Sequence, residues 1–257
     1  MFNKNIEQDS AQSFRAKRRA ILSENSDFSV KEAYKTLRTN IRFSLPEGGC
    51  KKLCVTSGLP NEGKSITTLN TAISFAEAGM RVLLIDADLR RPTLARLLIE
   101  SGDPGLSNVL AGMASAEEAI HKDRYPNLDV MFSGVIPPNP SELLGSPRME
   151  KLLQELSSKY DYIFIDTPPV NVVTDACVIS AMLDGVLLVV RQNQSERDSV
   201  KRAVNQLSIA GGKLLGFVLN GTTLGAGGKR SKYDRYGYYR YESRPEKGAK
   251  RAPVEKK

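Results

Sequence analysis

The 257-residue sequence has no tryptophan, one histidine and three cysteines. His121, the only histidine, lies in a polar stretch with no partner motif and is assigned no role. Cys50, Cys54 and Cys177 lack the paired spacing of a zinc site, which leaves reduced, structural thiols in a cytosolic protein as the expectation. Long apolar runs are missing too. Stretches such as Val186–Val190 fall far short of a membrane span, and Met1–Glu7 has no apolar signal core, so neither insertion nor export is expected.

The body of the chain also lacks a charge excess, although the whole carries +8. Residues 229–257 hold eleven Lys/Arg against four Asp/Glu, and the first 28 residues hold five against four. A near-neutral domain with a basic tail is not a nucleic-acid-binding face, and no nucleic acid partner is expected.

With 40% hydrophobic and 26% charged residues, the composition fits one α/β domain with a substantial core and short appendages. Residues 1–28 are polar, with a basic cluster at Arg15–Arg19, and read as mobile. Val30, Ala33, Tyr34, Leu37 and Ile41 form a helical stripe over 29–43, with Ser29 placed as N-cap and Glu32 three residues on. Pro46–Gly49 ends that helix, so the N-terminal segment closes at residue 45. Over 46–224, apolar runs at Leu53–Thr56, Val82–Ile85, Leu128–Phe132, Tyr162–Ile165, Val186–Val190 and Leu214–Leu219 alternate with helices at about 64–78, from near Pro92, 143–158 and 196–209. That alternation predicts a mostly parallel sheet covered by helices on both faces. Residues 225–257 have no apolar periodicity and read as a flexible tail.

Gly58-Leu59-Pro60-Asn61-Glu62-Gly63-Lys64-Ser65 matches G-x4-G-K-[ST] between a predicted strand and a predicted helix. This is the context a P-loop requires, in which backbone N–H groups and a helix N-terminus hold phosphate oxygens. The nucleotide-binding set is Gly58, Pro60, Asn61, Glu62, Gly63, Lys64, Ser65 and Ile66, with Lys64 reaching the β/γ-phosphates and Ser65 binding Mg²⁺. Asp86 and Asp88 follow one apolar strand and Asp166 ends another, at the sheet edge where ligands collect. Asp166 reads as the Walker B carboxylate, Asp88 as a further magnesium contact or a helix cap, and either Asp86 or Asp88 as acceptor of a proton from an attacking hydroxyl. Asn220 resembles the asparagine that contacts adenine in related ATPases, with a turn-forming residue before Gly221 as the local alternative. Arg90 and Arg91 read as phosphate-stabilising, tail-docking or surface residues.

Past the last apolar run, Tyr233, Tyr236, Tyr238, Tyr239 and Tyr241 account for five of the nine tyrosines. They have no core to join, and exposed phenols beside a phosphate cradle point to the tail as a substrate. Five phosphates would add roughly −7.5 to −10 and reverse the tail's positive charge.

The P-loop, Asp86-Ala87-Asp88-Leu89-Arg90 and Asp166-Thr167-Pro168-Pro169 resemble the bacterial tyrosine kinases, autokinases distantly related to partition and division-site ATPases. The likeness extends over about residues 29–241, including Pro137–Leu144 and the tyrosine tail. It implies a P-loop NTPase fold, MgATP as donor, and transfer in trans to the tail within a homo-oligomeric ring. It also implies a separate transmembrane activator that recruits the cytoplasmic chain to the inner face of the plasma membrane. A cognate tyrosine phosphatase and a role in capsular or extracellular polysaccharide synthesis complete the set. The family's Glu-x2-Arg-x2-Arg ring motif falls on Glu32, Lys35 and Arg38, with lysine in place of the first arginine; a solvated helix face is the local alternative. A partition ATPase would carry a signature lysine at the position of Leu59 and an amphipathic C-terminal helix, and the chain has neither. A nucleotide-gated binding module is the third reading.

Overall fold

The computed structural model describes residues 14–222, and the tyrosine segment 233–241 lies outside them. Seven strands form one sheet in the order β3-β4-β2-β5-β1-β6-β7. They are β1 Lys51–Ser57, β2 Val82–Asp86, β3 Ile120–Tyr125, β4 Leu128–Met131, β5 Tyr162–Asp166, β6 Gly185–Arg191 and β7 Leu214–Asn220. All neighbours are parallel except β3, which runs antiparallel to β4 at one edge. The expected mostly parallel sheet is therefore present. Its central strands are buried on both faces, which is why they read as unbroken apolar runs rather than alternating ones.

Helical residues 14–19 (α1), α2 Phe28–Phe43 and α3 Lys64–Ala76 lie with one apolar cluster, built on Leu53, Leu69, Phe75 and Phe164. On the other face, α7 Pro140–Leu144, α8 Pro147–Leu156, α9 Asp175–Ser180 and α10 Arg197–Ile209 cover a second cluster that includes Leu153, Ile165 and Leu188. Short helices α4 Leu94–Leu98, α5 Leu106–Ala111 and α6 Ala116–Ala119 follow β2. Among the described residues, no helix is long and apolar enough to cross a membrane.

Several expectations are corrected. Residues 14–22 are held against the domain: buried Asn70 accepts from the Leu22 N–H at 2.8 Å and donates to the Ala20 carbonyl at 2.8 Å. Helix α2 starts at Phe28 with Asp27, not Ser29, at the N-cap, and Glu32 pairs with Lys35 instead of closing a capping box. Tyr34, Leu37 and Ile41 face the core, whereas Val30 and Ala33 are exposed. The single helix expected over 143–158 is two, because Gly145 ends α7 and Ser146-Pro147 starts α8, with Ser146 accepting from the Met149 N–H. Strand β3 went unread since its polar Lys122, Asp123 and Arg124 form an exposed edge, a composition that discourages further pairing. His121 packs against Phe132, with ring centroids 4.8 Å apart.

Candidate active site

The loop between β1 and α3 is drawn into its cradle by backbone that ordinary residues resist. Asn61 and Gly63 have φ of 64° and 94°, and Gly63 stands at the N-cap of α3. A Cβ on Gly63 would lie 1.9 Å from Asn220 Nδ2, so any other residue here would displace that side chain as well as strain the dihedral.

Three partners from the sheet's far edge brace this loop. Asn220 Nδ2 at the end of β7 donates to the Glu62 carbonyl at 2.9 Å, and Arg191 Nη1 at the end of β6 donates to the Asn61 carbonyl at 3.1 Å. Buried Glu62 turns its carboxylate inward, where it accepts from the Leu59 N–H at 2.8 Å and from the Ser195 hydroxyl. Glu62 thus holds the loop with its side chain. Arg191 and Ser195 escaped the sequence reading, which had no motif to place them under residues 130 positions earlier.

Asp86 and Asp166 end adjacent strands and are paired in register, so the sheet itself sets two carboxylates side by side. Lys64 Nζ lies 2.9 Å from Asp88 Oδ2, 3.4 Å from Asp166 Oδ2 and 3.3 Å from Ser65 Oγ. Thr68, one turn along α3, donates to Asp166 at 3.4 Å. Predicted Lys64, Ser65, Asp88 and Asp166 therefore converge.

Asp86 is fully buried. Its Oδ2 accepts from the Thr93 and Leu94 N–H groups at 3.1 and 3.0 Å, and its Oδ1 from the Asp88 N–H at 3.2 Å. Burial and the neighbouring Asp166 push its carboxyl up to about 7. Burial also raises Asp166, against the pull of Lys64 and a Ser65 hydrogen bond. Burial alone would lower Lys64, but Asp166 and Asp88 outweigh it and hold the ammonium above the ordinary lysine value. Three carboxylates share one ammonium. This buried negative excess suits a divalent cation. Among the described residues no three acidic, histidine or cysteine side chains are arranged to ligate a metal directly. The residues fit magnesium held through Ser65, phosphate oxygens and waters, the usual habit of that ion.

Arg90 is neither free nor aimed at phosphate. It forms a two-toothed pair with buried Asp175, Nε to Oδ2 at 2.8 Å and Nη2 to Oδ1 at 3.0 Å, and also reaches Ser141 at 3.0 Å. The segment after β2 is thereby fastened to Pro137–Leu144 and to the start of α9. Arg91 gives its N–H to Asp88 Oδ1 at 3.0 Å. Away from the site, Glu32 and Lys35 pair at 2.7 Å on the α2 surface, while Arg38 donates to the carbonyl and hydroxyl of Ser74 on α3.

A phosphate loop, a buried lysine and strand-end carboxylates on a parallel sheet define a P-loop nucleotide-binding protein, and residues 60–209 match the family model described as an AAA domain. The chain is 41% identical over 208 residues to the tyrosine-protein kinase YwqD of Bacillus subtilis (strain 168), covering 81% of this chain and 85% of that one. Among solved structures it is similar to the kinase domain of Escherichia coli tyrosine kinase ETK, with TM-score 0.74, 36% identity and coverage of 82% and 81%. It is also similar to the chimerical protein CapA2B2, with TM-score 0.72, 36% identity and coverage of 76% and 86%. The chain belongs to the bacterial tyrosine-kinase family.

Proposed function

We propose that this chain transfers the γ-phosphoryl group of ATP to tyrosine hydroxyls of its own 233–241 segment and thereby regulates capsular or extracellular polysaccharide synthesis. The observation that carries the reading is the Lys64 ammonium held among Asp88, Asp166 and Ser65 at the mouth of the P-loop.

The loop amides and the α3 N-terminus bind the phosphates, and Lys64 exchanges its carboxylate partners for phosphate oxygens. Magnesium, when bound, neutralises charge on the β/γ oxygens; Ser65, Asp88 and Asp166 would hold it. A phenolic oxygen attacks the γ-phosphorus, the bond to the β-phosphate oxygen breaks, and ADP leaves. The phenolic proton passes to Asp86, whose carboxyl at about 7 is matched to a base working near neutrality. Asp86 Oδ1, which accepts one N–H at 3.2 Å, keeps a lone pair for it. Asp88 is the alternative base.

In this reading the acceptor tail belongs to a neighbour in a ring whose contacts involve Glu32 and Lys35. A transmembrane adaptor activates the chain at the inner face of the plasma membrane, and a tyrosine phosphatase resets it. Accumulated phosphate reverses the tail's charge and releases it. The deciding experiment incubates purified protein with γ-labelled ATP and Mg²⁺, with and without a candidate adaptor, and maps the label by mass spectrometry. Label on residues 233–241 supports the proposal. Release of free phosphate alone, or label confined to Tyr34, Tyr125, Tyr160 or Tyr162, refutes it.

A further inference from the structure

The two strands that deliver the carboxylates, β2 and β5, are tied together at both ends, and the two ties differ. At their starts, Arg81 Nη2 meets Asp161 Oδ1 at 2.8 Å on an exposed surface. At their other ends the ladder closes where the Ala87 N–H donates to the Asp166 carbonyl at 2.8 Å. Beyond that point, among the described residues, the loops that follow the two strands are joined by Arg90 and Asp175. Asp175 is fully buried, and the fork of Arg90 covers both of its oxygens. Ser141 completes the joint, donating to Asp175 Oδ1 and accepting from Arg90 Nη2 at 3.0 Å.

A buried ion pair is a poor source of net stability, because desolvating the charges offsets their attraction. What a two-toothed pair supplies is direction, since the planar fork meets a carboxylate in a fixed geometry. That direction matters two residues away. Asp88 is held by Lys64 at 2.9 Å and by the Arg91 N–H at 3.0 Å. In the proposed reaction Lys64 leaves Asp88 for phosphate oxygens. Asp88 is then oriented by the main chain at Arg91, next to the residue that Asp175 fixes.

We propose that Arg90 and Asp175 are positioning residues for magnesium: by joining the loop after β2 to the loop after β5, the pair sets where Asp88 stands relative to Asp166. This rests on the reading of those acids as the magnesium side of an ATP site, and adds the residues that act through them.

The test is calorimetry of ADP binding to the full chain, in excess Mg²⁺ and in chelator, with no turnover to intrude. By linkage, the ratio of the two affinities measures how well the protein holds magnesium. Arg90→Lys keeps the charge and loses the fork; it should cut that ratio roughly tenfold or more, as for loss of an outer support of a metal site. Asp175→Asn should do the same, with affinity in chelator as in wild type for both. Arg81→Gln, which breaks the tie at the far end of the same strands, should leave the ratio unchanged. An unchanged ratio in either variant, folded by its melting curve, overturns the proposal and leaves the ATP site standing. So does an equal fall in both conditions, which would make the pair a support of the fold or of the phosphate loop. A matching loss in Arg81→Gln also overturns it, because any tie between the strands would then suffice. A wild type whose ADP affinity is indifferent to Mg²⁺ removes the underlying reading and this one together.

Discussion

Asn220 Nδ2 donates to the Glu62 carbonyl at 2.9 Å and occupies the space that any Cβ on Gly63 would need. The last residue of β7 is therefore part of the phosphate loop's support before any adenine is considered. Asn220→Asp keeps the size but sets a carboxylate oxygen against that carbonyl. Binding of ATP should weaken at least tenfold, and binding of inorganic triphosphate should weaken with it. A loss confined to ATP would assign Asn220 to the base alone.

Lys64→Met should abolish phosphoryl transfer. It also leaves Asp86, Asp88 and Asp166 without their shared ammonium. Breaking a buried pair by removing one partner costs about 3–5 kcal/mol, less where the acids can take up protons. Thermal melting in chelator should therefore fall, and Mg²⁺ should restore part of the loss. Full transfer by a folded, contaminant-free Lys64→Met sample would end the P-loop assignment.

Asp86 supplies a pH signature. Its folded carboxyl is raised to about 7, above the ordinary carboxylate value. The folded state thus binds more protons than the unfolded chain between about pH 4 and pH 7. Its contribution to stability is fully present below that window and is lost as pH rises through it. Asp86→Asn should flatten this part of the stability profile and lower transfer strongly, with ATP still bound. In the wild type, transfer should climb with pH toward neutrality as the base loses its proton. Wild-type transfer in Asp86→Asn, with Asp88→Asn inactive, would move the base to Asp88.

The tail can be tested without touching the site. Changing Tyr233, Tyr236, Tyr238, Tyr239 and Tyr241 to Phe keeps each ring and deletes the nucleophile. Autophosphorylation should nearly vanish while ATP affinity stays unchanged. Mixed with the Lys64→Met chain, this variant should label the inactive partner if transfer runs in trans. No label on either chain means strictly intramolecular transfer.

The three residues expected to form a ring motif make different contacts within the protomer. Glu32 and Lys35 pair on the surface, whereas Arg38 is tied to Ser74 inside the protomer. Replacing Glu32 and Lys35 by Ala should reduce oligomer size in light scattering with little change in melting temperature. Arg38→Ala should lower the melting temperature by itself. A monomeric wild type, even with an activator and an unphosphorylated tail, would remove α2 from any ring contact.

The sheet was legible because parallel strands buried on both faces leave unbroken apolar runs, as at Val82–Ile85 and Tyr162–Ile165. Lys64 and Ser65 were legible because phosphate binding demands fixed local spacing, and Asp88 and Asp166 because each stands at the end of an apolar strand run. What stayed hidden depends on distant partners. Asn70 cannot announce that its amide will grip Ala20 and Leu22, nor Asp175 that it will claim Arg90. Strand β3 was hidden for a different reason: an exposed edge strand needs no apolar signal.

The bracing of Asn61 and Glu62 by Arg191, Ser195 and Asn220 has a consequence for synthesis. The phosphate motif leaves the ribosome 130 to 158 residues ahead of its supports, which are among the last residues of the domain to be made. At roughly 5–20 residues per second, the interval is on the order of ten seconds. Throughout it the loop lacks the hydrogen bonds that those residues give to Asn61 and Glu62. The nascent domain completes the bracing of its phosphate loop only when β7, the last strand of the sheet to be made, is in place.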